Sequence, residues 1–361
     1  MPNILDIRRR IRSVKNTRQI TKAMKMVAAA KLRRAQDRAL SSRPYAQMLT
    51  NVLKSLVQRA EVVDPETGQP RHPLLAQRDE KNILVIVVTG DKGLAGAFNT
   101  NLLKAAMKFL ADKRGRNIDI EAVGRKGRDF LRRRFPMNVP QGQGEQGEEE
   151  FARHRPAVER KGPVQVVGEH IGILGKVGFA DAQKLAEHAI ERYTEEEIDA
   201  VYVIYNEFKS VIAQRLVVEQ VLPIERIGER GIRQADALSQ QERMRAKEAA
   251  ISAGVGMRPP DTSEVDRVAA EFATKPVDYI YEQPPAELFR SLLPKYVAIQ
   301  VYRALLESFA AENAARMTAM ESATNNATDM IDSLTLAMNR VRQAKITKEI
   351  IEIVSGAAAQ E

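Results

Sequence analysis

Three glycines, Gly90, Gly93 and Gly96, form the stretch of this sequence that comes nearest to a phosphate-binding loop. They follow a β-branched run at 83–88 and precede helix-forming residues, which is where nucleotide-binding folds place such a loop. Their spacing, Gly-x-x-Gly-x-x-Gly, matches neither the dinucleotide-binding fingerprint nor the Walker pattern, although Lys92 lies within the turn. The sequence therefore favours a tight turn whose small residues let a helix pack closely on a sheet. A nucleotide-binding enzyme centred on this loop stays an alternative.

The other side chains capable of chemistry form no catalytic or metal-binding pattern. Acidic runs at 148–150 and 195–197 are typical of solvated surface, and no serine or threonine stands in a nucleophile-elbow context. The absence of cysteine excludes disulfides, thiol catalysis and zinc–thiolate sites. We therefore expect no catalytic residue, no cofactor and no metal. Four histidines share no metal-ligand spacing and are expected on the surface: His72, His154, His170 and His188.

The elements that would position any functional residue are two long helices at the ends of the chain. Between Pro294 and Ser355 there is neither proline nor glycine, so a continuous helix here would be roughly 90 Å long. A helix of this length needs a partner along its side. Apolar and small residues spaced alternately three and four apart predict a coiled-coil contact line: Met317, Met320, Thr324, Ala327, Ile331, Leu334, Met338 and Val341.

Residues 3 to about 59 predict the second long helix, in which Ile4, Ile7, Ile11 and Val14 form a narrow apolar edge. Neither terminal helix has a partner nearby in sequence. The simplest arrangement is an antiparallel pair of these two helices, with everything between them folded as a domain at one end.

The positive charge of the chain is concentrated in the N-terminal helix. Residues 1–43 hold thirteen lysines and arginines against two acidic residues, whereas residues 307–361 hold five against eight. Such a basic element indicates an acidic partner, which could be nucleic acid, an anionic membrane surface or carboxylates on another protein. A coiled-coil protein that binds nucleic acid through this helix is one alternative. It is disfavoured because the first aromatic residue is Tyr45, beyond the basic stretch.

Strands that alternate with helices predict an α/β domain with a mostly parallel, Rossmann-like sheet between the terminal helices. The fold class is therefore α/β plus a long antiparallel coiled coil. Its expected parts are the N-terminal helix at 1–60, the central α/β domain at 81–225, a helical or mobile insertion at 226–277, and the C-terminal helix at 285–361.

Two stretches of the long helices carry small residues and cations instead of a strong apolar contact line. They lie at 21–31 and 339–347. Beyond the second stretch the helix becomes apolar nearly all round, at Ile350, Ile353 and Val354. A terminal helix that is apolar on every side is expected to be inserted into a partner.

These stretches carry a family resemblance. Residues 21–28, Thr-Lys-Ala-Met-Lys-Met-Val-Ala, resemble the N-terminal signature of the gamma subunit of rotary, F-type ATP synthase. Residues 339–347 and 352–358 are similar to the C-terminal signature of that family. The resemblance runs from end to end, because shorter similar segments follow the family's order at 124–127, 205–208 and 278–282.

The resemblance implies the central rotor shaft of the proton-translocating F-type ATP synthase. Such a shaft couples rotation of a membrane ring to ATP synthesis or hydrolysis at alpha/beta catalytic sites, and it has no catalytic residues of its own. The implied partners are the alpha and beta subunits, the epsilon subunit and the membrane rotor c-ring, with no nucleic acid. No apolar run approaches the ~20 residues of a membrane span. Without a transit peptide or a regulatory cysteine pair, we expect a peripheral membrane protein on the cytoplasmic face of a bacterial inner membrane.

The resemblance also indicates which residues meet the surrounding ring. Exposed charge contacts are worth about 1 kcal/mol or less each, so such contacts can form and break as a shaft turns. The expected contact residues are Lys22, Met24, Lys25, Arg340, Arg342, Gln343, Ile350, Ile353 and Val354.

Overall fold

Two long helices at the ends of the chain dominate the structure. Helix α1, Ile4–Arg59, has 56 residues, and the C-terminal helix α6, Pro285–Ala358, has 74. Both are built mostly from residues of good helix propensity, and each continues through one internal proline, Pro44 in α1 and Pro294 in α6. The structure is a computed structural model, which describes residues 3–59, 72–138, 160–256, 267 and 282–358.

A single sheet with its helices lies between α1 and α6. Its strands are short and rich in β-branched residues, and the stretches between several of them form helices that cover the sheet. The elements in chain order are β1 (Asn82–Val88), α2 (Phe98–Asp112), β2 (Asn117–Val123), α3 (Arg125–Leu131), β3 (Val164–His170), α4 (Phe179–Thr194), β4 (Ala200–Phe208), β5 (Gln214–Leu222), β6 (Gly231–Ala237) and α5 (Gln240–Ala253).

The six strands are ordered β3-β2-β1-β4-β5-β6. Strand β1 pairs in parallel with both β2 and β4, and β2 pairs in parallel with β3. The remaining two pairings, β4 with β5 and β5 with β6, are antiparallel. This arrangement confirms an α/β domain between two long terminal helices.

Both faces of the sheet are buried, as the continuous apolar run of β1 requires. Alternate residues of β1 point to opposite faces. Ile83, Val85 and Val87 pack with α2, whereas Leu84, Ile86 and Val88 pack with α4 and α6. The core between the sheet and α4 and α6 also contains three leucines from the end of α1, namely Leu49, Leu53 and Leu56. The terminal helices therefore supply part of the core of the sheet domain.

The range 226–277, expected to be a helical or mobile insertion, contributes two elements in the part that the structure describes. Residues 231–237 form β6, the edge strand of the sheet, and residues 240–253 form α5. The sheet therefore extends beyond residue 225. Only a short loop separates β6 from α5, so the helix begins close to the sheet.

No helix among the described residues combines the length and the apolar character that crossing a membrane requires.

Candidate functional site

The two terminal helices run antiparallel, and their contact line is the one that the apolar spacing predicts. Near the start of α1, Ile7 and Ile11 pack against Ile331 of α6. Further along, the hydroxyl oxygens of Thr21 and Thr324 lie 2.8 Å apart. Residue numbers rise along α1 as they fall along α6. We call the paired part, residues 4–35 of α1 and 310–339 of α6, the shaft.

Lys25 lies inside the shaft, not on its surface. Only 5% of its side chain is exposed. Its ammonium Nζ is 2.6 Å from Glu321 Oε2 of α6, an ion-pair contact without hydrogen-bond alignment, and it donates a hydrogen bond of 2.7 Å to Ser252 Oγ. A buried ammonium group needs such partners, because its desolvation is costly. The charge of Lys25 is thus balanced within the chain.

The neighbours of Lys25 in the predicted contact set face outward. Lys22 is exposed and Met24 is half-buried. Two apolar residues on the same turns, Met26 and Val27, are also exposed, to 45% and 56%. This part of the shaft therefore presents one cation beside an apolar surface.

The second predicted set lies at the far end of α6, where the contacts with α1 end at Val341. Arg340, Arg342 and Gln343 are all exposed. The apolar side chains beyond them are exposed as well, Ile350 to 55%, Ile353 to 72% and Val354 to 61%. Large apolar side chains are therefore exposed along the last turns of α6. We call residues 340–354 the tip.

The structure therefore separates the predicted contact residues into two groups. The first lies opposite Glu321 and Thr324 of α6, and the tip begins 16 residues after Thr324, which at 1.5 Å per residue is roughly 25 Å along the axis. Side chains this far apart cannot form one small-molecule site. They can contact one large partner at two levels along the helix axis.

Side chains of α6 fill the space beside the glycine-rich turn after β1. In doubly wound folds a ligand binds beyond the carboxyl ends of the parallel strands, where β1 ends here. The Glu312 side chain lies over Gly90, where an added Cβ would be 2.6 Å from Glu312 Oε1. Arg316 Nη2 lies 2.5 Å from Glu312 Oε1 and donates to the Gly93 carbonyl oxygen at 3.4 Å. Burial raises the pKa of Glu312, and Arg316 opposes that effect. The glycines let the shaft approach the sheet.

A buried ionic network joins α6 to the sheet, and nothing in the sequence predicted it. Glu219 of β5 accepts hydrogen bonds from Arg303 of α6 at 2.6 Å and from Tyr205 Oη at 2.6 Å. Arg230 lies between Glu219 and Glu207 and bonds to both carboxylates. Burial raises the pKa of both carboxyls, but Arg215 and Arg230 lower that of Glu207 below its usual value, and Arg303, Arg230 and Tyr205 do so for Glu219. No spacing rule brings together residues this far apart in the chain.

Glu307 lies beside this network and gives the sheet domain a pH dependence. Burial raises its pKa to about 7, with Glu207 and Glu219 adding to the effect and Arg303 and Arg230 opposing it. Its Oε2 is buried without a hydrogen-bond partner, while Arg303 Nε is 3.9 Å from Oε1. The folded chain therefore holds a proton here that the unfolded chain, with the ordinary glutamate pKa, releases.

We expect the contribution of Glu307 to stability to be present below about pH 4.5 and lost as the pH rises through about 7. Glu307→Gln should remove this dependence and raise the free energy of unfolding at pH 8 by about 1 to 3 kcal/mol. The measurement is urea unfolding of both proteins from pH 5 to 8. Glu349→Gln, at an exposed position of the tip, is the control. Parallel pH profiles for the native chain and Glu307→Gln would contradict the expectation.

The expectation that His170 and His188 are unremarkable surface residues is wrong. His170 Nε2 is 2.9 Å from Glu121 Oε2, and His188 Nδ1 bonds to the other oxygen of the same carboxylate. Glu121 is buried on β2, and its two histidine partners hold its pKa well below the usual range. His72 caps a short turn by accepting a hydrogen bond from the Leu74 amide, and His154 lies outside the described residues. A glutamate within the apolar run of β2 was the available signal.

Within the described ranges, no group of three or more histidine or acidic side chains is arranged to hold a metal ion. A cavity of about 330 Å³ lies beside the ionic network and is lined by Glu219, Arg230 and Tyr296 among others. The residues predicted to be functional lie instead on the shaft and its tip. The predicted contact residues do not line this cavity.

Known proteins resemble this chain over its whole length. A family model described as ATP synthase matches residues 3–360. The ATP synthase gamma chain of Solibacter usitatus (strain Ellin6076) is 49% identical over 361 residues, with 100% of each chain covered. That of Anaeromyxobacter sp. (strain Fw109-5) is 42% identical over 364 residues, with 99% of each chain covered.

A solved structure shares the fold. A chain in the mitochondrial ATP synthase of Euglena gracilis, described as OSCP/F1/c-ring in rotational state 3, superposes with a TM-score of 0.52. It is 19% identical, and the alignment covers 99% of this chain and 94% of that one.

Proposed function

Because the chain belongs to the ATP synthase gamma-chain family, we propose that it is the central shaft of the proton-translocating F-type enzyme. It turns with the membrane ring and couples that rotation to ATP synthesis or hydrolysis at the alpha/beta catalytic sites. It is a non-catalytic subunit of this complex. The observation that carries the proposal is the antiparallel pair of terminal helices, which extends beyond the sheet domain and ends in a single helix with exposed apolar residues.

The contacts of the shaft with the alpha and beta subunits follow from its two surfaces. Lys22 and Met24 would face the ring near the sheet domain, and Arg340, Arg342 and Gln343 would face it near the tip. Their side chains are exposed, apart from the half-buried Met24, so contacts with carboxylates and polar groups of successive beta subunits can form and break. Lys25 would support this surface from inside, because its charge is already balanced by Glu321.

The tip would be the bearing of the shaft. Ile350, Ile353 and Val354 expose apolar surface around the helix. Such a helix could turn within a surrounding apolar surface that does not fix it in one orientation. The sheet domain, at the opposite end of the shaft, would lie against the epsilon subunit and the c-ring. The chain would then be a peripheral membrane protein on the cytoplasmic face of the bacterial inner membrane.

The position of the shaft residues explains how rotation could reach the catalytic sites without local chemistry. The shaft is asymmetric, because α1 covers α6 on one side only and the tip extends alone. Each orientation would therefore favour a different conformation in each surrounding beta subunit. The ionic network between Arg303 and Glu219 ties α6 to the sheet, so that the two move together.

Reconstitution tests the proposal. Alpha and beta subunits are mixed with and without the chain, and ATP hydrolysis and rotation of a probe attached to the sheet domain are measured. Both should depend on the chain. Hydrolysis at an unchanged rate without it, with no rotation in its presence, would refute the rotor function. A strongly salt-dependent affinity for DNA would instead favour the nucleic-acid alternative.

Truncation after Thr347 should weaken the bearing and leave folding intact. The described residues beyond this point are exposed, so we expect the free energy of unfolding to change by less than about 0.5 kcal/mol. In the reconstituted complex the truncated chain should stall under a lower opposing load than the full chain, as measured by single-molecule rotation. Full torque from the truncated chain would show that the tip is not the bearing.

A further inference from the structure

Helix α5 packs directly against the shaft. Its buried face consists of Ala246, Ala249 and Ala250, which lie in one cluster with small and apolar residues of both shaft helices. Alanine faces allow helices to approach closely, so α5 adds a third helix to the shaft over a short length. The shaft residues in this cluster are Ala28, Ala29, Leu32, Ala35, Ala310, Ala314 and Met317.

Polar contacts fix α5 in this position. Ser252 Oγ accepts the hydrogen bond from Lys25, and the Gly254 carbonyl oxygen accepts one of 2.5 Å from Arg33 Nη2. The helix is closed at both ends, because Ser239 and Glu242 form a capping box and Gly254 ends it with φ +63°. These contacts place the last turn of α5 beside Lys25, at the level of the first predicted contact group.

The outer face of α5 exposes two large apolar side chains among its charged residues. Met244 and Ile251 are seven residues apart, so they lie on the same side, and they are 63% and 61% exposed. Because Ser252 bonds to Lys25, the last turn of α5 lies at the same level of the shaft as the turn of α1 that exposes Met26 and Val27. Both helices therefore expose apolar side chains at this level.

The charge around this surface is positive. Arg243, Arg245 and Lys247 are exposed on α5, and Lys22 is exposed on α1. Of the two acidic residues on α5, Glu242 is engaged in the capping box and Glu248 is exposed, so cations remain in excess. An acidic partner with apolar side chains among its carboxylates would complement such a surface.

We propose that the outer face of α5, with Met244 and Ile251, is a further contact surface for the ring of alpha and beta subunits. The inference rests on the proposed function, because the occupant is the ring that surrounds the shaft. The position of α5 at the level of the exposed Lys22 and the excess of cations both favour this occupant. The ring would then meet α5 as well as α1 at this level, and the third helix would add to the asymmetry of the shaft.

The absence of native cysteine makes a labelling experiment direct. Single cysteines are placed at three exposed positions of the full chain: Ile251→Cys on α5, Ile350→Cys on the tip, and Lys108→Cys on α2, away from the shaft. The rate of maleimide labelling is measured for the chain alone and after assembly with alpha and beta subunits. We expect Ile251→Cys to lose labelling to the same extent as Ile350→Cys, while Lys108→Cys labels at an unchanged rate.

The two proposals fail in distinguishable ways. Protection at Ile350→Cys together with full labelling at Ile251→Cys would overturn the α5 contact and leave the rotor intact. Full labelling at both positions in a complex that still contains the chain would overturn both proposals. Protection of Ile251→Cys in the chain alone, increasing with concentration, would identify a second copy as the occupant and also overturn the α5 contact. Circular dichroism of the three variants checks that each is folded.

Discussion

Replacing Glu321 with leucine is expected to lower the free energy of unfolding by about 3 to 5 kcal/mol, because the change leaves the Lys25 ammonium buried without an opposite charge. The two side chains are 5% and 13% exposed, and their charged atoms lie 2.6 Å apart. Ser252 remains as a neutral hydrogen-bond acceptor, which cannot balance a full charge. The measurement is equilibrium urea unfolding followed by circular dichroism at neutral pH.

Two further variants distinguish the free-energy cost of an unpaired buried charge from the cost of losing a contact. The double change Lys25→Met with Glu321→Leu should recover most of the stability, since it replaces the ion pair with apolar residues of similar size. Glu349→Leu, which removes an exposed partner of Lys345, should cost about 0.5 kcal/mol or less. Equal losses for Glu321→Leu and Glu349→Leu would show that the Lys25 pair is not a buried ion pair.

Replacing Gly124 with alanine should destabilise the sheet domain by about 2 to 5 kcal/mol, through backbone strain and a steric clash together. Gly124 has φ +88°, and an added Cβ would lie 2.0 Å from the Thr89 carbonyl oxygen. Thr89 cannot withdraw easily, because its amide donates to the Val123 carbonyl oxygen and its hydroxyl is 2.8 Å from the same oxygen. The β1 and β2 ends would have to separate. Thermal and urea unfolding of the full chain measure the loss.

Gly115 provides a matched control for this prediction. Its φ is also +88°, yet an added Cβ would meet nothing within 4 Å. Gly115→Ala should therefore cost only the backbone strain, about 1 to 2 kcal/mol. The difference between the two variants measures the clash with Thr89. If Gly124→Ala were no worse than Gly115→Ala, the close approach of β1 and β2 would be wrong.

The sequence predicted the pairing of the terminal helices because a heptad-like spacing can be read from one helix alone, without knowledge of its partner. Ile331 and Ala327 are buried on the predicted line, and Thr324 meets Thr21 across it. The alternation of strands and helices likewise predicted the α/β domain, since β1 is an apolar run buried on both faces.

The features that the sequence did not predict depend mainly on contacts between residues far apart in the chain. Nothing near Lys25 indicates that Glu321 and Ser252 bury its charge. Helix α5 gave no periodic apolar signal, because its packing face is made only of alanines. Strand β6 reads Gly-Ile-Arg-Gln-Ala-Asp-Ala and lies at the sheet edge, where polar residues hide the usual strand pattern.

The shared core of the sheet and the terminal helices has a consequence for the order of synthesis. Val297, Val301 and Leu305 of α6 cover the face of the sheet that presents Leu84 and Ile86. During translation, Leu305 follows Leu84 by roughly 220 residues. That apolar face of the nascent sheet therefore stays exposed until translation is nearly finished. An open apolar face invites association with other chains during this interval. The last helix to be translated is thus the one that ends the vulnerable period.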